Sequence, residues 1–473
     1  MKVLFAASEA GPFMRTGGLG DVAAALPKAL TKAKVETHVI MPLYEGINEQ
    51  FRQTFEFLGS TVVNVGWRQQ YAGVFKCVYD GVTYYFIDNE YYFKRYSIYG
   101  HYDDGERFAF FSKAVLEVIP LIKFYPDIIH CNDWQTGLIP VMLDAFYRLI
   151  EGYGNIKTVF TIHNIEFQGR MDPACISEVF GIPGEFASVC EYQKDANMLK
   201  AGIERANKVT TVSKTYAEEI LNPYYAYGLE HILGQRRYKL CGIVNGIDIK
   251  KYNPKTDKAL FKNYDIKSIK GKAECKAGLQ GMVNLPVIAD RPIIGMVTRL
   301  TNQKGLDLVM EVIESILNMD IQMVVLGTGD WKYEAALKEI AKKYSNKIAV
   351  IINFSSDIAS KIYSGCDMFL MPSRFEPCGL SQLMAMRYGT IPIVRETGGL
   401  KDTVIPFNPV EKSGRGFTFK TYNAYDMLDA INRCVGTYYN KEEWNACVKN
   451  AMEGDYSWEQ SAKQYIELYK SIE

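Results

Sequence analysis

Several absences narrow the chemistry before any motif is considered. The 473-residue chain holds five histidines, no H-E-x-x-H and no D-x-D, so the common spacings for a protein-held catalytic metal are missing. Its ten cysteines (77, 131, 175, 190, 241, 275, 366, 378, 434 and 447) include no C-x-x-C pair. That argues against a zinc cluster or a thioredoxin-like redox site and for small apolar thiols in a reducing compartment. Lys plus Arg and Asp plus Glu both number 54, leaving no net charge to draw the molecule toward nucleic acid or an anionic membrane. The opening MKVLFAASEA meets charge and glycine before a signal-peptide core could form, and no apolar run is long enough to span a bilayer. Neither G-x-x-x-x-G-K-[ST] nor G-x-G-x-x-G occurs, which weighs against ATPase and dehydrogenase readings. The expectation is a cytosolic protein with no metal and no cofactor, no membrane or nucleic-acid partner, and any anion site local.

What is present is a large apolar fraction, 48%, in a chain too long for one ordinary core. Short apolar runs recur, each followed by a polar or Gly-rich break and a helical pattern: KVLFAA, ETHVIMPL, PDIIHCND, KTVFTIHN, KVTTVS and CGIVNGID. The pattern loosens after about residue 250, where KYNPKTDKALFKNYD reads as an exposed connector. It restarts at PIIGMVTRL, IQMVVLGTG, KIAVIINF, MFLMPS and TIPIVRE. Such alternation predicts parallel sheets with helical crossovers, hence two doubly wound α/β domains. The expected division is 1–245, 246–455 and a C-terminal helix, 456–473, packing back on the first domain. Ligands of doubly wound sheets sit beyond the carboxyl ends of strands, which places the expected site in a cleft between the domains. The tyrosine-rich stretch at 79–102 reads as core and edge-strand packing rather than a stacking surface.

Each motif with chemical potential follows one of those strands. RTGGLGDV (15–22) joins a strand to a helix through three glycines, a junction able to bring a phosphate onto helix-start amides, or simply a tight turn with Asp21 serving the helix. TGGLKDTV (397–404) repeats the device after IPIVRE. VTRLTNQKG (297–305) sets Arg299 and Lys304 where two cations could grip a diphosphate, Arg by a bidentate fork and Lys as a mobile point charge. In PSRFEPCGLSQ (372–382), Glu376 could accept hydrogen bonds from sugar hydroxyls, while the sequence shows no base for Cys378 as a nucleophile, which reads as a small buried thiol. HCNDWQTG (130–137) and FTIHNIEFQG (160–169) bring His130, Asp133, Trp134 and His163 to two further strand ends, Trp134 with Asp133 suiting a sugar face and a hydroxyl.

Taken in order, RTGGLGDV, HCNDWQTGL, TIHNIEFQG, VNGID, TRLTNQKG, PSRFEPCGLSQL, TGGLKDTV and the late DYSW resemble the glycogen and starch synthases across essentially the whole chain. The resemblance implies a GT-B fold of two Rossmann-like domains. It also implies a retaining glucosyltransferase that elongates α-1,4-glucan, glycogen or a malto-oligosaccharide, from ADP-glucose. By position, Arg299 and Lys304 resemble the diphosphate-binding pair, Glu376 the carboxylate holding the donor glucose, and His163 the histidine at that glucose. Gly18 and Gly399 would present backbone amides, and Phe354 resembles the aromatic under adenine. Asp21, Asp133, Trp134, Asn245, Cys378, Gly379, Thr397 and Gly398 fall on positions lining the site. The family's first loop carries Lys where this chain has Arg15, Gln135 replaces a histidine of some relatives, and Met384 stands where related enzymes place a second glutamate. ADP-glucose and UDP-glucose stay undecided at this level. The competing readings are a glucan-binding protein of the same fold without turnover and a GT-B enzyme with another donor or acceptor. With no metal motif, cations must neutralise a leaving diphosphate, so full activity is expected in excess EDTA; a strict requirement for Mg²⁺ in a turnover assay would reject this mechanism.

Overall fold

The computed structural model describes residues 1–472. The chain divides into two compact units, one comprising Met1–Asn245 together with the C-terminal stretch from Trp458, the other Gly246–Ser457.

In the first unit a nine-stranded sheet runs, in spatial order, through Leu240–Gly242, Lys208–Thr211, Lys157–Ile162, Ile128–Asn132, Lys2–Ala6, Glu36–Pro42, Val82–Asp88, Arg68–Tyr79 and Glu56–Val65. From Leu240–Gly242 across to Val82–Asp88 every pairing is parallel; the last two strands extend the edge through antiparallel ladders. The central strands are near-continuous apolar runs because helices cover both faces. Strand Lys2–Ala6 is buried from Val3 onward and Ile128–Asn132 throughout. These two strands are neighbours, and their crossovers leave in opposite directions along the sheet, to Glu36–Pro42 on one side and Lys157–Ile162 on the other. Their carboxyl ends open the crevice that a doubly wound sheet offers to a ligand.

The last helix, Trp458–Lys470, completes this unit. It buries Trp458, Ala462, Tyr465 and Tyr469, lies against the helix Gly18–Lys32, and anchors Ser461 Oγ on Val244 O at 2.6 Å. Its deepest contact is polar: the Tyr469 hydroxyl meets His130 Nδ1 at 2.7 Å, and His130 Nε2 meets Thr161 Oγ1 at 2.6 Å. His130 is fully buried, and burial pushes its pKa down to about 3, so it is a neutral structural group.

The second unit holds a six-stranded, wholly parallel sheet ordered Ile348–Ile351, Gln322–Leu326, Ile293–Val297, Met368–Met371, Ile391–Arg395, Phe417–Phe419. The chain enters at Ile293–Val297, winds outward twice, then crosses back to Met368–Met371 beside its starting strand. The reversal again falls between two adjacent central strands. Helix Leu306–Leu317 shows why it packs here, with Leu306, Val309, Val312, Ile313, Ile316 and Leu317 buried at helical spacing.

Two expectations are sharpened. The exposed connector at 251–265 is an ordered one: Asp248, Asn253, Asp257 and Asp265 each accept a backbone N–H two residues on, making successive Asx turns. The segment is then pinned by Tyr264 OH to Tyr388 O at 2.7 Å and Tyr388 OH to Asp257 Oδ2 at 2.5 Å. The tyrosine-rich stretch divides instead of packing as a whole. Tyr84, Tyr85 and Tyr92 are buried, while Tyr91, Tyr96 and Tyr102, beyond the strand's end, stand in solvent.

Tyr469→Phe leaves His130 Nδ1 buried without its hydroxyl partner and is expected to cost about 1–3 kcal/mol. A lowered urea midpoint by circular dichroism is the predicted result, and an unchanged midpoint would refute the contribution.

Candidate functional site

In the second unit the loops after the two central strands carry the predicted cations and carboxylate. Past Ile293–Val297, Arg299 is exposed, with Nη2 3.4 Å from Gln303 Oε1. Lys304 turns inward, its Nζ 2.6 Å from Glu376 Oε2, in a pair whose side chains keep only 15% and 8% exposure. Ser373 Oγ donates to the same carboxylate oxygen at 2.9 Å. A buried carboxylate needs such partners, since desolvation disfavours an unpaired charge. The two loops are tied by Arg374 N to Gln303 O at 2.9 Å. Tyr422 adds a further tie: its hydroxyl reaches Asp307 Oδ1 at 2.5 Å and Asn302 O at 3.2 Å, and the guanidiniums of Arg374 and Arg395 lie over its ring.

The loop 397–399 is the support beneath Glu376. Gly398 has φ +44°, and a Cβ there would lie 1.9 Å from Glu376 O. The Gly399 N–H is shared between the carbonyls of Glu376 and Pro377 at 3.1 and 3.2 Å. This departs from the expectation that Gly399 offers its amide to phosphate or sugar; that donor is occupied in holding the Glu376 loop. Thr397 and Gly398 are buried with it, as is Cys378, and Gly379 turns the chain with φ +72°. Phe354 is 82% exposed on the loop after Ile348–Ile351 and presents an aromatic face to solvent.

In the first unit the glycine loop opens the helix Gly18–Lys32. Glu9, buried, accepts from Thr16 N at 2.5 Å and Thr16 Oγ1 at 2.8 Å, and burial raises its carboxyl pKa. Arg15 makes an ion pair with Asp21 at 2.6 Å on the surface and folds over Gly20. Nothing lies within 4 Å of a Cβ built on Gly18, so this glycine faces open space rather than its own protein. At the neighbouring strand end Asp133 has φ 56°, ψ −179°, a conformation nearly restricted to glycine. The strained turn aims its carboxylate at the next loop, where it accepts from His163 N at 2.7 Å and from Asn164 N. Burial still lifts its pKa to about 7.

His163 Nε2 lies 2.9 Å from Asn132 Oδ1, and burial holds its pKa at about 3. A histidine neutral throughout the physiological range is a hydrogen-bonding group, not a proton donor to a leaving group. Trp134 disappoints the expectation of a sugar platform: it is buried edge-on against Phe108, and Gly169 packs on its other side. Asn245 is buried with Oδ1 unpartnered among the described residues. Sequence reasoning passed over Glu9, Asn132, Ser373 and Tyr422. Asn132 and Ser373 stand inside motifs already singled out, and Glu9 in the opening stretch; Tyr422 joins the site through a loop that only the fold brings to it.

A family model described as the starch synthase catalytic domain matches residues 2–235, and one described as group 1 glycosyl transferases matches 283–453. The glycogen synthase of Clostridium acetobutylicum is 52% identical over 100% of both chains. The chain belongs to the glycogen synthase family. Another family member, from Anoxybacillus flavithermus, is 48% identical over 100% of this chain and 98% of its own. The catalytic domain of starch synthase IV from Arabidopsis thaliana, solved with ADP and acarbose, superposes with TM-score 0.90 at 32% identity, covering 100% and 99% of the two chains. Sucrose-phosphate synthase of Thermosynechococcus elongatus, 18% identical with TM-score 0.61 over 100% and 98% of the chains, shares the fold. The architecture is the two-domain GT-B fold of glycosyltransferases, and this family membership makes the chain a glycogen-synthase-type enzyme. The alternative of a binding protein without turnover is not favoured.

The two glycines respond oppositely to a methyl group. Gly398→Ala is expected to lose about 1–3 kcal/mol through the clash with Glu376 O, whereas Gly18→Ala should stay within about 0.5 kcal/mol of the parent. Thermal melts of the two variants check this, and equal shifts would refute it.

Proposed function

We propose that the enzyme transfers glucose from ADP-glucose to the end of an α-1,4-glucan, glycogen or a malto-oligosaccharide, with retention of anomeric configuration. The observation that carries the reading is the buried Lys304–Glu376 pair beside exposed Arg299, at the strand reversal of the second sheet. Breaking the glucose–phosphate bond builds negative charge on the departing diphosphate and positive charge on the sugar. Preorganised cations therefore bind the transition state more tightly than the ground state. Arg299 is free to swing its fork onto phosphate oxygens, while Lys304 brings a charge already oriented by Glu376. Glu376 in turn offers carboxylate oxygen to sugar hydroxyls. The acceptor hydroxyl attacks on the face the phosphate leaves, with a phosphate oxygen taking its proton.

The remaining assignments follow the same chemistry. Gly18 gives a backbone amide at the start of a fifteen-residue helix and space for a ligand to reach it. His163, neutral, serves the donor glucose; Phe354 offers its exposed ring to the adenine. Arg15, Asp21, Asp133 and Asn245 contribute polar groups toward the acceptor or donor, while Trp134, Cys378, Gly379, Thr397, Gly398 and Gly399 hold the binding loops in shape. Solution of the plant starch synthase with ADP favours the adenine nucleotide over the uridine one. Among the described residues no helix is long and apolar enough to cross a membrane, and we place the enzyme in the cytoplasm.

The test is incubation of purified protein and glycogen with ADP-glucose or UDP-glucose, following both nucleoside diphosphate release and glucan gain. ADP-glucose should support both; release without glucan gain, or preference for UDP-glucose, would overturn the assignment. Arg299→Ala and Lys304→Ala should each lose about 2–4 kcal/mol of transition-state stabilisation, roughly a hundred- to a thousandfold in rate. Near-normal turnover in both would remove the leaving-group role.

A further inference from the structure

Asn132 closes the strand Ile128–Asn132 and is fully buried. Its side-chain Nδ2 donates to two carbonyls, Ala6 O at 3.0 Å on the adjoining strand and His130 O at 3.2 Å on its own. Two acceptors on one side of the amide settle which atom is nitrogen and which is oxygen, because a flipped amide would set its oxygen against both carbonyls. The backbone is held as well, with Asn132 N donating to Thr136 Oγ1 at 2.6 Å and Thr136 Oγ1 donating back to Asn132 O at 2.9 Å. Asn132 Oδ1 is thus a fixed acceptor, and the atom 2.9 Å from it is His163 Nε2.

An acceptor there admits one pairing: Nε2 of His163 carries the hydrogen. In a neutral imidazole the other nitrogen, Nδ1, then bears an unshared lone pair. The His163 backbone is separately held by its N–H to Asp133 Oδ1, which anchors the residue, while the contact of Nε2 with Asn132 Oδ1 sets the rotation of the ring. Nδ1 has no hydrogen-bond partner among the described residues. The titratable groups facing the ring are His130, fully buried and neutral on the neighbouring strand, and Asp133, whose carboxylate is taken up by the amides of His163 and Asn164.

We propose that Asn132 is a positioning residue that locks His163 in the Nε2–H tautomer and so presents Nδ1 as a hydrogen-bond acceptor for a hydroxyl of the bound sugar. This deepens the reading of His163 as a residue at the donor glucose and rests on it. A sugar hydroxyl donates to Nδ1, whereas a phosphate oxygen, lacking a proton to give, is repelled by the same lone pair. The arrangement selects for the sugar half of the donor at this spot and does so without a charge that would have to be desolvated.

Nitrogen-15 histidine labelling of the intact enzyme, with long-range ¹H–¹⁵N correlation spectra, reads the tautomer directly. His163→Asn assigns the signal. In the parent protein His163 is expected to show the neutral Nε2–H pattern unchanged across neutral pH. Asn132→Asp puts a carboxylate against Nε2 and is expected to convert the ring to imidazolium; Asn132→Ala is expected to mix the tautomers. Both variants should lower turnover with ADP-glucose, by as much as about a hundredfold. An Nδ1–H or imidazolium pattern in the parent enzyme, or unaltered spectra and turnover in both variants, would overturn the proposal. Full turnover in His163→Ala would instead sink the reading of His163 as a sugar contact while leaving its tautomer assignment standing, so the two failures are distinguishable.

Discussion

The constraint on which the rest depends is topological: a parallel sheet that winds outward from one strand and returns on that strand's other side must leave the two central carboxyl ends uncovered. In the first unit those ends belong to Lys2–Ala6 and Ile128–Asn132, in the second to Ile293–Val297 and Met368–Met371. Loops leaving such ends cannot be covered by their own crossover helices, which depart to opposite sides. The polar residues gather there because it is the place in each unit where strand-end polar groups meet an unfilled space. The glycine loop and Asp133 follow from the first reversal, Arg299, Lys304 and Glu376 from the second.

Charge placed beside a hydrophobic sheet has to be reconciled with desolvation, and the two units do so differently. The second unit pairs opposite charges, with Lys304 and Ser373 converging on Glu376. The first unit keeps its ion pair, Arg15 with Asp21, on the surface of the glycine loop and relies on neutral donors beneath it. It surrounds Glu9 and Asp133 with N–H and hydroxyl donors and keeps both histidines neutral by burial. A cationic floor suits an anion, whereas a floor of neutral donors and acceptors suits hydroxyl groups, so the two units differ in the chemistry their strand ends offer.

The central strands were legible because parallel strands buried on both faces leave unbroken apolar runs such as IIGMV and QMVVL, and the motifs were legible because they follow those runs. The edge hairpin Glu56–Tyr79 escaped notice because its strands alternate exposed and buried positions and carry a glycine at a register irregularity between Phe57 and Gly59. The order of the exposed connector at 251–265 was not legible because it comes from Asx turns and two tyrosine hydroxyls rather than from apolar periodicity. At the site, residue types told of phosphate and sugar, yet orientation lay beyond them. Nothing in TGGLKDTV says that its second glycine amide faces the Glu376 carbonyl, and nothing in HCNDWQTG says that tryptophan turns inward while asparagine reaches a histidine.

The first unit is not contiguous in the chain: it is closed by the helix beginning at Trp458, after the whole of the second unit has been made. Until residues 458–470 emerge from the ribosome, Nδ1 of His130 lacks its Tyr469 hydroxyl and the apolar groove for Trp458, Tyr465 and Tyr469 stays open to water. Domains ordinarily fold in the order of synthesis; here the first to be started is the last to be finished. A chain broken off anywhere in the second unit therefore leaves the first with an unfilled apolar groove, so the integrity of one unit is tied to synthesis of the other.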